Sequence, residues 1–176
     1  NIMCAIIGYC SEKKTSKKID ILFDKHLKKM RHRGPDFSSN KTYDIDNYKL
    51  NFGFNRLSIQ DLSPVSNKIF YDENHILIFN GEIYNKDELK NKYITQITLE
   101  TTTDTEILFE LLKKFSVSKL DEIEGIFAFA FLNLKNKKIY LSRDRTGVKT
   151  LYYLKDSNNF CFSSEAWFLY DVSTTK

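Results

Sequence analysis

A chain of 176 residues fits one domain and is long enough to bury a real core. Its 41% hydrophobic and 28% charged residues are those of a globular protein, and 27 Lys plus Arg against 23 Asp plus Glu leave +4 with the signs interspersed, so no phosphate-binding track stands out. No apolar run approaches the ~20 residues that span a membrane, no secretory leader is visible, and Cys4, Cys10 and Cys161 lack metal-type spacing, which makes reduced thiols in a cytoplasmic compartment the expectation.

Residues 3–9, Met-Cys-Ala-Ile-Ile-Gly-Tyr, read as a buried strand with Cys4 at its head. From the strand alone, Cys4 is a small buried apolar residue. Residues 16–30 predict a helix, because Ile19, Leu22, Phe23, Leu27 and Met30 recur at helical spacing and Ser16 stands where a cap is needed. The helix stops at Arg31-His32-Arg33-Gly34-Pro35-Asp36, where Gly34 and Pro35 end it and the arginines and Asp36 predict a local ion-pair network. Tyr48 to Phe54 alternates as a strand with Leu50, Phe52 and Phe54 on one face. Arg56 follows between Phe54 and Leu57, and a guanidinium in such surroundings needs an anion, either Asp61 or a ligand carboxylate.

His75 to Phe79 predicts a buried strand that runs into Asn80-Gly81-Glu82-Ile83-Tyr84-Asn85. An amide donor, a glycine that admits close backbone approach and a carboxylate able to hold an ammonium stand together there. Asn-Gly is also the strongest short hairpin signal, so a plain turn is the competing reading. Lys86 to Lys92 predicts a short exposed helix, and a second helix spans about 104–115, with Ile107, Leu108, Leu111, Leu112 and Phe115 on its apolar face. Thr103 or Asp104 caps it, and Asp104 is equally open to a ligand role. Ser118 to Ile123 reads as another short helix.

Gly125 opens a central aromatic strand through Leu132, and a Lys/Asn turn over 133–138 returns the chain into Ile139 to Ser142 as a hairpin. The loop from Arg143 to Thr150 superficially resembles a phosphate loop, but Val148 separates Gly147 from Lys149 and the leading glycine is missing, so the nucleotide reading is rejected. Strands at Leu151–Leu154 and Phe160–Ser163 and a short helix at Ala166–Tyr170 complete the chain. Hairpin-connected strands with a helical block imply antiparallel sheets with helices on their faces, an α+β architecture.

Taken in order, Met3-Cys4-Ala5-Ile6-Ile7-Gly8, Arg31-His32-Arg33-Gly34-Pro35-Asp36, Arg56-Leu57-Ser58-Ile59, Asn80-Gly81-Glu82-Ile83-Tyr84-Asn85, Asp104-Thr105-Glu106, Gly125-Ile126-Phe127-Ala128-Phe129-Ala130 and Arg143-Asp144-Arg145 with Gly147 resemble the class II glutamine amidotransferase domain. The resemblance is to the glutaminase half of the asparagine synthetase family in particular, and it runs from Cys4 to about Leu169. It implies a four-layer αββα N-terminal-nucleophile sandwich of two antiparallel sheets, with residues 1–176 as one glutaminase domain. It further implies hydrolysis of L-glutamine to glutamate and ammonia through a cysteinyl thioester, with the ammonia passed to an asparagine-synthetase-like amidation. Cys4 then matches the nucleophile, and Asn80 with the Gly81 amide matches the oxyanion hole. Arg56, with Leu57 and Ile59 beside it, matches the site of the glutamine α-carboxylate, and Glu82 and Asp104 match that of its α-ammonium. These residue types suit a zwitterion: a guanidinium fork for a carboxylate, carboxylates for an ammonium, donors for an oxyanion. The base implied is the nucleophile's own α-amine, which titrates near 8 when free. The resemblance implies no cofactor or metal in this domain. It implies an ATP-dependent synthetase domain or subunit as partner, neither nucleic acid nor membrane, and it is compatible with a homodimer.

The chain departs from the family pattern in places. Cys4 follows Asn1-Ile2-Met3, so its nitrogen lies in a peptide bond; either Met3 is the natural start or the chain is an unprocessed form, and activity is expected only once Cys4 is first. Ala5 stands where Gly or Ser is usual, and Thr146 and Thr150 where an apolar residue and a proline are more frequent. The family's C-terminal ATP-pyrophosphatase domain, with its Ser-Gly-Gly-x-Asp phosphate loop, has no counterpart, which leaves an excised domain or a stand-alone subunit. Two other functions compete: a catalytically silent glutamine-binding module of the same fold, and an N-terminal-nucleophile amidohydrolase acting on another amide. The intact ligand set speaks against the first, and Arg56 with the Glu82 and Asp104 pair speaks against the second.

Overall fold

The structure, a computed structural model, describes residues 4–57, 69–101 and 103–174. Its elements are β1 (Ala5–Glu12), α1 (Ser16–Lys29), β2 (Phe37–Ile45), β3 (Tyr48–Arg56), β4 (Phe70–Tyr71), β5 (His75–Ile83), α2 (Lys86–Tyr93), α3 (Asp104–Phe115), β6 (Gly125–Asn133), β7 (Lys138–Arg143), β8 (Tyr152–Lys155), β9 (Asn159–Ser163) and α4 (Trp167–Thr174). They divide into two compact units, one formed by Asn1–Ser58 with Thr150–Lys176 and the other by Ile59–Lys149.

The first unit is a five-stranded sheet in the order β2-β3-β1-β9-β8, antiparallel throughout. Alternation decides what each face carries. Ala5, Ile7 and Tyr9 of β1 and Cys161 of β9 pack with Ile19, Phe23 and Leu27 of α1 and Phe168, Leu169 and Val172 of α4 in one apolar core. Burying each such large side chain stabilises the fold by roughly 1.5–3 kcal/mol. Within that core the Tyr9 hydroxyl donates to Asp20 of α1, and Asp20 also receives Lys49 Nζ at 2.7 Å. His26, which the helical pattern did not single out, is buried and meets Asp171 of α4 at 2.8 Å.

The second unit is a four-stranded antiparallel sheet in the order β4-β5-β6-β7. Leu77, Phe79 and Ile83 of β5 and Phe127, Phe129 and Phe131 of β6 pack with Leu89 of α2 and Ile107, Leu108, Leu111 and Leu112 of α3. The α+β class and the two antiparallel sheets expected from the sequence are therefore present, and α3 has the limits its periodicity predicts. No helix among the described residues is long and apolar enough to cross a membrane.

Several local expectations change. Strand β1 begins at Ala5 and runs to Glu12 rather than over residues 3–9. Ser16 is the first helical residue rather than the cap, and its hydroxyl donates to Lys13 O at 3.0 Å. The segment after α3 forms a single 3-10 turn at Leu120–Glu122. Strand β2 was not foreseen; its half-buried positions alternate with exposed Ser38, Asn40, Thr42 and Asp44, so it carries no run of apolar residues. Asn80 and Gly81 make no hairpin turn: β5 continues through them, Asn80 opposite Ala128 and Gly81 opposite Phe127.

Candidate active site

The predicted site residues fall into two groups, one in each unit. In the first unit, Ala5 pairs with Asn55, which brings Cys4 to the end of β3. The Leu57 N–H donates to Cys4 Sγ at 3.4 Å, and the thiol points back to Leu57 O at 3.8 Å. Arg56, the last residue of β3, is half-buried. It alternates with Phe52 and Phe54 and so shares their face, opposite the one that holds α1 and α4. Cys4, Arg56 and Leu57 thus converge at one end of the β1–β3 pair. Ile59, and Asp61 as the internal partner considered for Arg56, lie outside the described residues.

The corner expected at residues 31–36 buttresses this end of the sheet. A Cβ on Gly34 would lie 2.5 Å from Asn55 O, so only glycine lets the corner press against the backbone before Arg56. The Asp36 N–H donates to Arg56 O at 3.1 Å. The arginine ion pair runs elsewhere than expected: Arg33 Nη1 is 3.8 Å from Glu165 Oε1, and Arg33 Nε donates to Cys4 O at 3.4 Å. Nothing local in the sequence joins position 33 to position 165, which is why Glu165 was missed.

In the second unit, β5 carries Asn80, Gly81 and Glu82. Asn80 is 2% exposed, and its Nδ2 has no acceptor among the described residues. Gly81 is required by close packing: a Cβ there would meet Ile126 O at 2.2 Å and Phe127 Cα at 2.5 Å. Asp104 opens α3, and its carboxylate accepts the Ile83 N–H at 3.1 Å, one residue beyond Glu82. Capping is left to Thr103, whose hydroxyl accepts the Glu106 N–H at 3.3 Å. Burial pushes the Asp104 carboxyl above its ordinary value; the Ile83 and Thr105 N–H groups and the Lys86 ammonium oppose that, and the nearby Glu82 charge adds to it. A half-buried carboxyl beside a second carboxylate is an environment that a bound ammonium relieves.

The loop after β7 is organised by Asp144, which the sequence placed only by resemblance. Its buried carboxylate accepts the N–H groups of Val148 at 2.9 Å, Lys149 at 3.0 Å and Phe127 at 3.3 Å, and the Thr146 hydroxyl at 2.9 Å. Burial works against its charge, but those donors outweigh it and hold the carboxyl at about 2. Phe127 is the partner of Gly81 across the β5–β6 ladder, so Asp144 fixes the strand against which Gly81 packs. Of the other thiols, burial pushes Cys161 up to about 12 and raises Cys10 as well.

The whole of residues 3–176 matches the model of the glutamine amidotransferase domain family. The chain belongs to that family, in its class II form. It is 38% identical over 179 residues to a Methanocaldococcus jannaschii protein named as a second glutamine-hydrolysing asparagine synthetase, covering 93% of this chain and 34% of that protein. It is 33% identical over 169 residues to asparagine synthetase [glutamine-hydrolyzing] 1 of Bacillus subtilis, covering 93% of this chain and 26% of the relative. The chain therefore spans about a third or less of the length of these relatives. Among solved structures, glutamine phosphoribosylpyrophosphate amidotransferase of Bacillus subtilis superposes with a TM-score of 0.71 over 97% of this chain and 44% of that one, at 16% identity, which shows the shared fold.

Proposed function

We propose that this domain hydrolyses the side-chain amide of L-glutamine and supplies the ammonia to an ATP-dependent synthetase partner that makes asparagine or a related amide. The observation that carries the reading is Asn80: a buried amide donor with no acceptor among the described residues, following the apolar run Ile76 to Phe79 of β5. An unsatisfied buried donor costs stability, and an oxyanion formed during acyl transfer is the acceptor it suits.

In the proposed reaction the Cys4 sulfur attacks the glutamine side-chain carbonyl, and the carbonyl oxygen gains negative charge near Asn80 Nδ2 and the Gly81 N–H. The Cys4 α-amine, free once Cys4 is the first residue, takes the thiol proton and returns it to the departing nitrogen, which leaves as ammonia. Water then attacks the thioester, releasing glutamate and restoring the thiol. Arg56 holds the substrate carboxylate with Leu57 and Ile59 beside it, and Glu82 and Asp104 hold the ammonium. No residue role here calls on a cofactor, and the setting is cytoplasmic.

The test compares ammonia and glutamate release from glutamine by the 176-residue chain and by a form that begins at Cys4. The trimmed form should be at least ~100-fold faster, the low end of what a general base contributes. Equal rates would remove the amine from the mechanism. Glutamine binding without hydrolysis in either form would favour the silent binding module.

A further inference from the structure

We propose that Glu165 is a positioning residue for Cys4, acting through Arg33. The segment that closes β9, Ser163-Ser164-Glu165, grips the start of β1. The Ile6 N–H donates to Ser164 Oγ at 3.0 Å, and the Ser164 N–H donates to Ile6 O at 2.8 Å. The Glu165 N–H donates to Ser163 Oγ at 3.2 Å, which fixes the root of its side chain. Glu165 Oε1 then stands 3.0 Å from His32 Nε2 and 3.8 Å from Arg33 Nη1. His32 is itself held, its Nδ1 lying 2.8 Å from Lys29 O.

Arg33 is the link to the nucleophile. Its side chain is 12% exposed, and Nε donates to Cys4 O at 3.4 Å. A guanidinium that far from water needs an anion, and Glu165 is the carboxylate within ion-pair range of it among the described residues. The Cys4–Ala5 peptide is a rigid plane, so a donor on the Cys4 carbonyl restrains the Cys4 Cα, and with it both the sulfur resting at Leu57 and the nitrogen proposed as base. Glu165 reaches neither atom directly; it sets where Arg33 lies, and Arg33 sets the plane. The kinetic consequence rests on the glutaminase reading, whereas the geometric one does not.

The experiment therefore has two arms. In the full chain, labelling the cysteine carbonyl carbons with 13C gives a signal for each of Cys4, Cys10 and Cys161, assigned by replacing each in turn. Glu165→Ala should move the Cys4 signal and leave those of Cys10 and Cys161, and Glu165→Asp should restore part of the shift. In the form beginning at Cys4, Glu165→Ala should lower kcat roughly two- to fivefold, the scale of a partly exposed charge pair, with KM for glutamine unchanged within error because Arg56, Glu82 and Asp104 are untouched. An unmoved Cys4 signal, movement of all three signals together, or a rise in KM in place of the fall in kcat would each overturn the proposal. If the parent protein hydrolyses no glutamine, it is the glutaminase reading that fails, and the Cys4 carbonyl signal still decides the role of Glu165.

Discussion

Replacing Asn80 with alanine should separate what this residue does for the fold from what it does for the reaction. Asn80 is 2% exposed and leaves Nδ2 without an acceptor among the described residues. An unpaired buried donor is unfavourable by about 1–3 kcal/mol, so its removal recovers that much. Against this stands the cavity left by the amide, a loss of similar size for a small side chain. The two terms nearly offset, and the substitution should change stability by less than about 1 kcal/mol, a shift of at most about 2–4 °C in Tm for a chain of this size. The reaction should respond very differently. Losing one oxyanion donor lowers kcat by about 100- to 1,000-fold, or 2.7–4 kcal/mol of barrier. Thermal unfolding and glutamate release, measured on the same preparations of parent and Asn80→Ala proteins beginning at Cys4, give both numbers. The reasoning is refuted if kcat stays within about threefold of the parent, a barrier change under about 1 kcal/mol. It is refuted equally if stability drops by several kcal/mol, because Asn80 would then be a satisfied structural residue.

Arg56→Lys keeps the charge but loses the fork, and should raise KM for glutamine about tenfold, equivalent to ~1.4 kcal/mol; an unchanged KM would mean that Arg56 serves an internal partner. A glutamine-like diazo-ketone should label Cys4 stoichiometrically and spare Cys10 and Cys161, whose thiols burial pushes up and keeps protonated; mass mapping that put the adduct on either of those would remove Cys4 as nucleophile. Asp144→Asn should destabilise the fold at neutral pH by roughly 2 kcal/mol, through loss of charge-assisted hydrogen bonds. The folded carboxyl lies at about 2, below its ordinary 3.8, so this contribution is full above about pH 4 and disappears as pH falls toward 2; denaturant melts of both proteins should therefore converge in acid, and a constant gap from pH 7 to 2 would contradict the assignment.

What the sequence could show was whatever is local. The apolar spacing of Ile19, Phe23 and Leu27, and of Ile107, Leu108, Leu111 and Leu112, sufficed for α1 and α3 because each helix buries one stripe. Strand β2 escaped because an edge strand needs no apolar run, and its exposed positions are all polar. The turn suggested by Asn80-Gly81 was local evidence overruled by tertiary pairing: nothing near position 81 announces that Phe127 will pack against its Cα. The Arg33 network was hidden for the same reason, since the sequence offered the neighbouring Asp36 whereas the fold supplied Glu165. Ser16 looked like a cap by composition, but residues 12–15 turn more tightly, with the Thr15 N–H donating to Glu12 O at 3.0 Å, and carry the chain into the helix one residue early.

Within each sheet, strand alternation marks the candidate residues independently of any resemblance. In β5 the odd positions Leu77, Phe79 and Ile83 enter the helix-covered core, so Ile76, Ile78, Asn80 and Glu82 share the other face. Ile76 and Ile78 are fully or almost fully buried, as expected for that row. Asn80 is buried among them yet leaves an amide nitrogen without an acceptor among the described residues, which an apolar residue of similar volume would avoid. A fold selected for stability alone would place leucine there, and would not raise the Asp104 carboxyl by burying it beside Glu82. Both departures lie on one stretch of chain, Asn80 through Ile83 with Asp104 bonded to its end. Both would be relieved by the ligand of the proposed reaction, an amino acid whose ammonium would meet two carboxylates and whose side-chain carbonyl would become an oxyanion. A peptide or simple acyl amide would satisfy the Asn80 donor and leave the carboxylates uncompensated, and this difference is the ground for proposing a free amino acid as the substrate.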